Sequence, residues 1–138
     1  MSICLPVTQN TKLYKGRTNK HNLQGYAWFA TDKNVAKLYG EVDVYNVTNP
    51  FLILNMHSVD AASLLSKYMP NEFKNNNYEN SYWIKDDKVC RTSEWYIDDV
   101  FAKKFCDIKK SKLPHIQGFG TDVKMCTYAA ESMHHQEY

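Results

Sequence analysis

Between Thr11 and Leu54 the sequence sets out four short apolar and aromatic segments of strand type with one helical stretch among them. That order limits the fold more than any other feature. Thr11 to Thr18 (Leu13-Tyr14-Lys15 entering Gly16) and Tyr26 to Ala30 read as the first two strands, with the polar segment Asn19 to Gly25 as a loop between them. Thr31 or Asp32 caps a helix carrying Val35, Ala36, Leu38 and Tyr39, which stops at Gly40. Val42, Val44 and Tyr45-Asn46-Val47 follow as a half-buried strand, and Phe51 to Leu54 as one buried on both faces. A regular βαβ alternation is missing, so the pattern predicts an α+β domain rather than a doubly wound sheet.

Downstream, Ser58 caps a second helix with Ala61, Ala62, Leu65, Tyr68 and Met69 on one face and Pro70 at its end. Residues 71–82, with Asn75-Asn76-Asn77, lack periodicity and read as an exposed Asn-rich loop. A third helix follows Thr92-Ser93, with Ile97, Val100, Phe101 and Phe105 at helical spacing, and Trp83, Trp95 and Phe101 read as core. Lys109, Lys110 and Lys112 read as a basic linker up to Pro114, and Ile116 to Asp122 as a glycine-punctuated turn between strands. Val123, Met125, Thr127 and Ala129 alternate with Lys124, Cys126 and Tyr128, and a last short strand covers Met133 to Tyr138. No internal repeat is visible.

Several function classes fall away on composition. The 138 residues suffice for a single domain, 1–138, with its own core. The longest apolar run, Pro50 to Leu54, is far short of the roughly 20 residues of a membrane span. The first residues, Met1 to Val7, show neither a basic region nor a long apolar core, so no secretory signal is visible and a cytoplasmic location is expected. Net charge is +2, too small and too scattered to favour a nucleic-acid partner, although the lysines near Lys109 offer a basic patch. Cys4, Cys90, Cys106 and Cys126 lack CxxC spacing and read as reduced structural thiols. A metal site would have to draw on His21, His57, His115, His134 and His135; the adjacent last pair would point to opposite faces of a strand, and no metal is expected. Gly-x-Gly-x-x-Gly, Walker and Gly-x-Ser-x-Gly motifs are all absent from the sequence.

What remains is a set of residues in a characteristic order. Leu13-Tyr14-Lys15-Gly16-Arg17-Thr18, then Trp28-Phe29-Ala30-Thr31-Asp32, Ala36 and Tyr39-Gly40 resemble the N-terminal half of ADP-ribosyltransferase-like domains. Val44-Tyr45-Asn46-Val47 and Asn49-Pro50-Phe51-Leu52-Ile53-Leu54 are similar to the two strands that follow there. Gln117-Gly118-Phe119 and Met133 to Tyr138 look like the C-terminal glycine turn and the strand bearing the family's glutamate. The resemblance covers most of the chain except about Ser58 to Pro114. It implies split, mainly antiparallel β-sheets with a few flanking helices, NAD as substrate, and transfer of ADP-ribose to a macromolecular acceptor, a protein. A non-catalytic binding module on the same scaffold is the alternative it leaves open.

The implied site follows residue by residue. Glu137 matches the carboxylate that stabilises the oxocarbenium-like ribose formed when nicotinamide leaves. Gly16 would let backbone approach the nicotinamide amide. Tyr14 belongs to the same strand, Phe29 or Tyr39 would stack on the ring, and Thr31 stands where some subfamilies have a serine. Lys15 occupies the position of a His or Arg; Arg17, on the same strand face, is the residue that offers a guanidinium fork for phosphate. His135 stands two residues before Glu137, so there is no Glu-x-Glu and the pattern points away from an arginine acceptor.

Overall fold

The computed structural model describes residues 3–17, 25–70, 82–85, 88–91 and 99–136. Its elements run β1 (Cys4–Val7), β2 (Lys12–Gly16), β3 (Ala27–Ala30), α1 (Lys33–Ala36) with a 3-10 turn Lys37–Tyr39, β4 (Val42–Val47), β5 (Phe51–Asn55), α2 (Val59–Tyr68), β6 (Tyr82–Lys85), β7 (Lys88–Arg91), α3 (Asp99–Lys112), β8 (Ile116–Gly120), β9 (Lys124–Thr127), a 3-10 turn Ala130–Ser132 and β10 (Met133–His135). Strands β6 and β7 form a separate hairpin. The other eight lie in one sheet in the order β1-β5-β8-β9-β3-β2-β4-β10. All neighbours are antiparallel except β5 and β8, whose parallel pairing is reached by a crossover through α2, the hairpin and α3. The α+β, mainly antiparallel expectation holds at this level. The sheet is continuous, but β2 meets β3 at the single pair Tyr14↔Ala30, whereas β2 and β4 pair over five residues.

One side of the sheet is covered by helices. Ala61, Ala62 and Leu65 of α2 and Phe101, Ala102 and Phe105 of α3 pack with Leu54, Phe119 and Cys126. Phe119 is the hub, taking Trp28, Phe101 and Phe105 at 5.6, 5.2 and 4.9 Å between ring centres, all edge-on. A second apolar cluster unites Val7, Leu13, Phe29, Val47, Phe51, Ile53, Met125 and Ala129. The caps agree with the sequence. Asp32 Oδ1 accepts from the Asn34 N–H at 2.8 Å, and Ser58 Oγ accepts from the Ala61 N–H at 3.3 Å.

Other expectations are corrected. Ile116 to Asp122 is not a turn: most of it is β8, in the middle of the sheet. Its glycines serve close approach, since a Cβ on Gly118 would lie 2.1 Å from the Cys126 carbonyl oxygen and one on Gly120 2.3 Å from that of Lys124. Lys109, Lys110 and Lys112 are the last turn of α3 rather than a linker, at the helix end where cations are favoured. Strand β1 is absent from the sequence reading because Pro6 argues against a strand; as an edge strand on β5 it tolerates the missing N–H. Helix α1 buries Ala36 alone and leaves Leu38 78% exposed, because the chain tightens from a 3.6 to a 3-residue period after one turn. Strand β5 is not buried on both faces throughout, as Leu52 is 40% exposed. Residues 71–81 of the Asn-rich segment, Trp95 and Ile97 lie outside the described residues.

A cavity on β2, β3, β4 and β9 as candidate functional site

Strand alternation divides the sequence-predicted residues between two faces. Tyr14 and Gly16 point to one, Lys15 to the other. On the Gly16 side the 3-10 turn closes down: a Cβ on Gly16 would stand 2.4 Å from Tyr39 Cβ and 2.7 Å from the Ala36 carbonyl oxygen. The glycine therefore admits Tyr39 and the Ala36 backbone, and the space that the resemblance reserves for a ligand amide is taken at this face. Tyr39 itself is 45% exposed and stands on the opposite side of β2 from Lys15.

On the other face lies a cavity of about 180 Å³ lined by Lys15, Tyr26, Ala27, Phe29, Tyr45 and Thr127, with Gly25, Ala130 and Met133 completing it. Register brings these residues together. Lys15 of β2 lies opposite Asp43 of β4, and Tyr45 is two residues further along β4. Ala27 of β3 lies opposite Thr127 of β9, and Phe29 opposite Met125. Phe29 and Tyr45 meet edge-on at 5.2 Å. Lys15 and Phe29 are thus the two sequence-predicted residues that share a cavity.

The charges around it centre on Asp43. Arg17 Nε–H donates to Asp43 Oδ1 at 3.0 Å, and a terminal guanidinium N–H donates to Glu41 Oε2 at 2.7 Å. These bonds hold the Arg17 pKa above its ordinary value, the hydrogen bond to Asp43 foremost. The fork expected to grip phosphate is engaged by two carboxylates. His135 Nε2 lies 3.4 Å from Asp43 Oδ1, and its ring stacks on Tyr45 at 4.8 Å and 25°. Burial lowers the Lys15 pKa, the attraction of Asp43 opposing it, and raises that of Tyr45, with Asp43 adding to the effect. Thr127 is 2% exposed, and its hydroxyl is a buried polar group without a hydrogen-bond partner among the described residues.

Thr31 ends β3 by donating its hydroxyl to the Asp122 carbonyl at 2.6 Å while its N–H bonds the Val123 carbonyl at 2.9 Å. It ties β3 to the β8–β9 connection. Glu137 lies outside the described residues; β10, which leads to it, is an edge strand on β4. Sequence reasoning missed Asp43, Tyr45 and Thr127 as cavity or charge partners. The alternation Val42-Asp43-Val44-Tyr45 puts Asp43 and Tyr45 on one face, but nothing local sets that face opposite Lys15. Among the described residues no three His, Cys, Asp or Glu side chains converge as metal ligands. Cys4, Cys106 and Cys126 are free thiols. No described helix is long and apolar enough to cross a membrane.

No protein-family model matches the chain, and comparison with curated proteins and with solved structures gave no match.

Proposed function

We propose that the protein is an ADP-ribosyltransferase-like domain that binds NAD with the nicotinamide ring in the cavity between Lys15 and Phe29, and transfers ADP-ribose to a macromolecular acceptor, a protein. The observation that carries this reading is that Lys15 and Phe29, from the two segments on which the resemblance rests, line one cavity with Tyr45 and Thr127. At about 180 Å³ it is smaller than the ~300–1,000 Å³ of pockets that enclose a drug-sized ligand. It suits one ring, with the rest of the dinucleotide outside. Phe29 is the stacking partner in this arrangement and Tyr39 is not. Glu137 is the carboxylate assigned to the developing oxocarbenium charge.

A second reading, a non-catalytic module that binds through the same cavity, is favoured by the engagement of Arg17 with Glu41 and Asp43 and by the covering of Gly16. Nicotinamide release and NAD affinity separate the two. In the transferase, Glu137→Gln lowers nicotinamide release on the order of a hundredfold and leaves NAD affinity nearly unchanged, because the ribose charge develops after binding. In the binding module neither protein releases nicotinamide and both bind NAD. Absence of any NAD-dependent thermal shift at millimolar NAD would end both readings. Arg17 is the residue expected to grip the phosphates, and its ion pairs with Glu41 and Asp43 compete with that role. Arg17→Ala should therefore weaken NAD no more than about threefold.

A further inference from the structure

We infer that the cavity is a site for an uncharged single-ring aromatic with one hydrogen-bonding substituent, of which phenol is the simplest, and that Thr127 is the residue that reads the substituent. The location is shared with the proposed NAD site, but the inference does not depend on NAD binding.

Three observations lead there. First, size and lining suit one ring. Phe29 and Tyr45 meet edge-on at 5.2 Å, and Ala27, Ala130 and Met133 complete an apolar wall around about 180 Å³. An apolar cavity of roughly 150 Å³ is enough to hold benzene, and aromatic walls favour a flat guest. The cavity is half open, so one edge of the ring stays in water and binding is weak. Second, the charges beside it balance. Lys15 lies opposite Asp43, and Arg17 bonds Asp43 at 3.0 Å and Glu41 at 2.7 Å, two cations against two carboxylates. A charged ring would leave water without gaining a counter-charge, so the site selects a neutral guest. Third, Thr127 borders the cavity from β9, 2% exposed, with a hydroxyl that has no hydrogen-bond partner among the described residues. Such a group costs free energy as it stands. The hydroxyl is shut off from solvent, but a turn about the Cα–Cβ bond between staggered positions exchanges it with the methyl group. A ring substituent at the cavity wall then gives the hydroxyl a partner.

The experiment is a titration of the wild-type chain with phenol, toluene and benzoate, followed by the chemical shifts of the Ala27 and Ala130 amides and the Thr127 methyl. Phenol should bind about three- to tenfold tighter than toluene, the worth of one hydrogen bond, and tighter than benzoate, with shifts centred on those residues. In Thr127→Val the two neutral rings should bind alike, whereas Thr127→Ser should keep the preference for phenol. Without ligand, Thr127→Val should unfold at the same urea concentration as the wild type or a higher one, since it removes a hydroxyl that nothing satisfies. Equal wild-type affinities for phenol and toluene, tighter binding of benzoate, shifts centred elsewhere, no binding of any ring, or a preference that survives in Thr127→Val would overturn the inference. So would a Thr127→Val midpoint well below that of the wild type. The wild-type series decides even where a variant fails to fold. NAD binding without a preference for phenol overturns this inference and leaves the NAD reading standing; that preference without NAD binding does the reverse.

Discussion

At the scale of single residues, Gly16 and Lys15 are neighbours with opposite surroundings. Gly16 has Tyr39 and the Ala36 carbonyl where its side chain would go. Gly16→Ala should therefore cost about 1–3 kcal/mol by overpacking, measured as a lower denaturation midpoint with an unchanged slope. A loss under about 0.5 kcal/mol would mean that the turn moves aside freely. Lys15 has the reverse problem, a charge held away from water, and burial lowers its pKa. Between that lowered value and the unfolded value near 10.4, the unfolded chain binds the extra proton, so stability rises with pH in this window. The groups on the same face as Lys15 are Asp43 and Tyr45, with Arg17 and His135 reached through Asp43. Tyr45, whose pKa burial raises, confines the clean part of the window to below about pH 9.5. Subtracting the pH profile of Lys15→Met from that of the wild type should leave a curve that climbs as pH rises toward the unfolded value; a flat difference would show that the amine is solvated.

At the scale of elements, the sheet centre depends on Phe119 of β8, which touches rings from β3 and α3. Phe119→Ala should cost about 3–5 kcal/mol, a large part of the stability of a domain this size, and should be read by urea unfolding. The edge strand β10 is held differently, by pairing to β4, by the Gln136 N–H bond to the Val44 carbonyl at 2.8 Å, and by the His135–Tyr45 stack. His135→Ala should speed amide exchange in β10 and leave exchange in β8 unchanged. The elements legible in the sequence are those whose signals are local. β2 to β5 show alternation or apolar runs, and α2 shows a serine cap and an apolar face. Strands β1 and β8 were illegible because Pro6 and the glycines of β8 normally signal a break. Here Pro6 sits on an edge, and Gly118 and Gly120 make room for a neighbouring strand, which only the assembled sheet reveals.

At the scale of the whole molecule, the cavity is assembled from residues far apart along the chain. Lys15 and Phe29 were legible as candidates from their segments, but their partners Tyr45 and Thr127 depend on the β2–β4 and β3–β9 registers, which no local pattern states. The division of Tyr14, Gly16 and Tyr39 from Lys15 was legible in principle, since strand alternation alone separates neighbours. The covering of Gly16 was not, because it depends on how α1 and its 3-10 turn fold back.

The seam between β2 and β3 gives the cavity a mechanical meaning. Along it the described backbone is stitched at one point, Tyr14↔Ala30, while Lys15 stands on one bank and Phe29, Ala27 and Thr127 on the other. Whatever fills the space between them acts as a rivet across the weakest line of the sheet. Occupancy should slow amide exchange on both banks together, in β4 as well as in β9, by more than it slows exchange in α2 and α3 behind them.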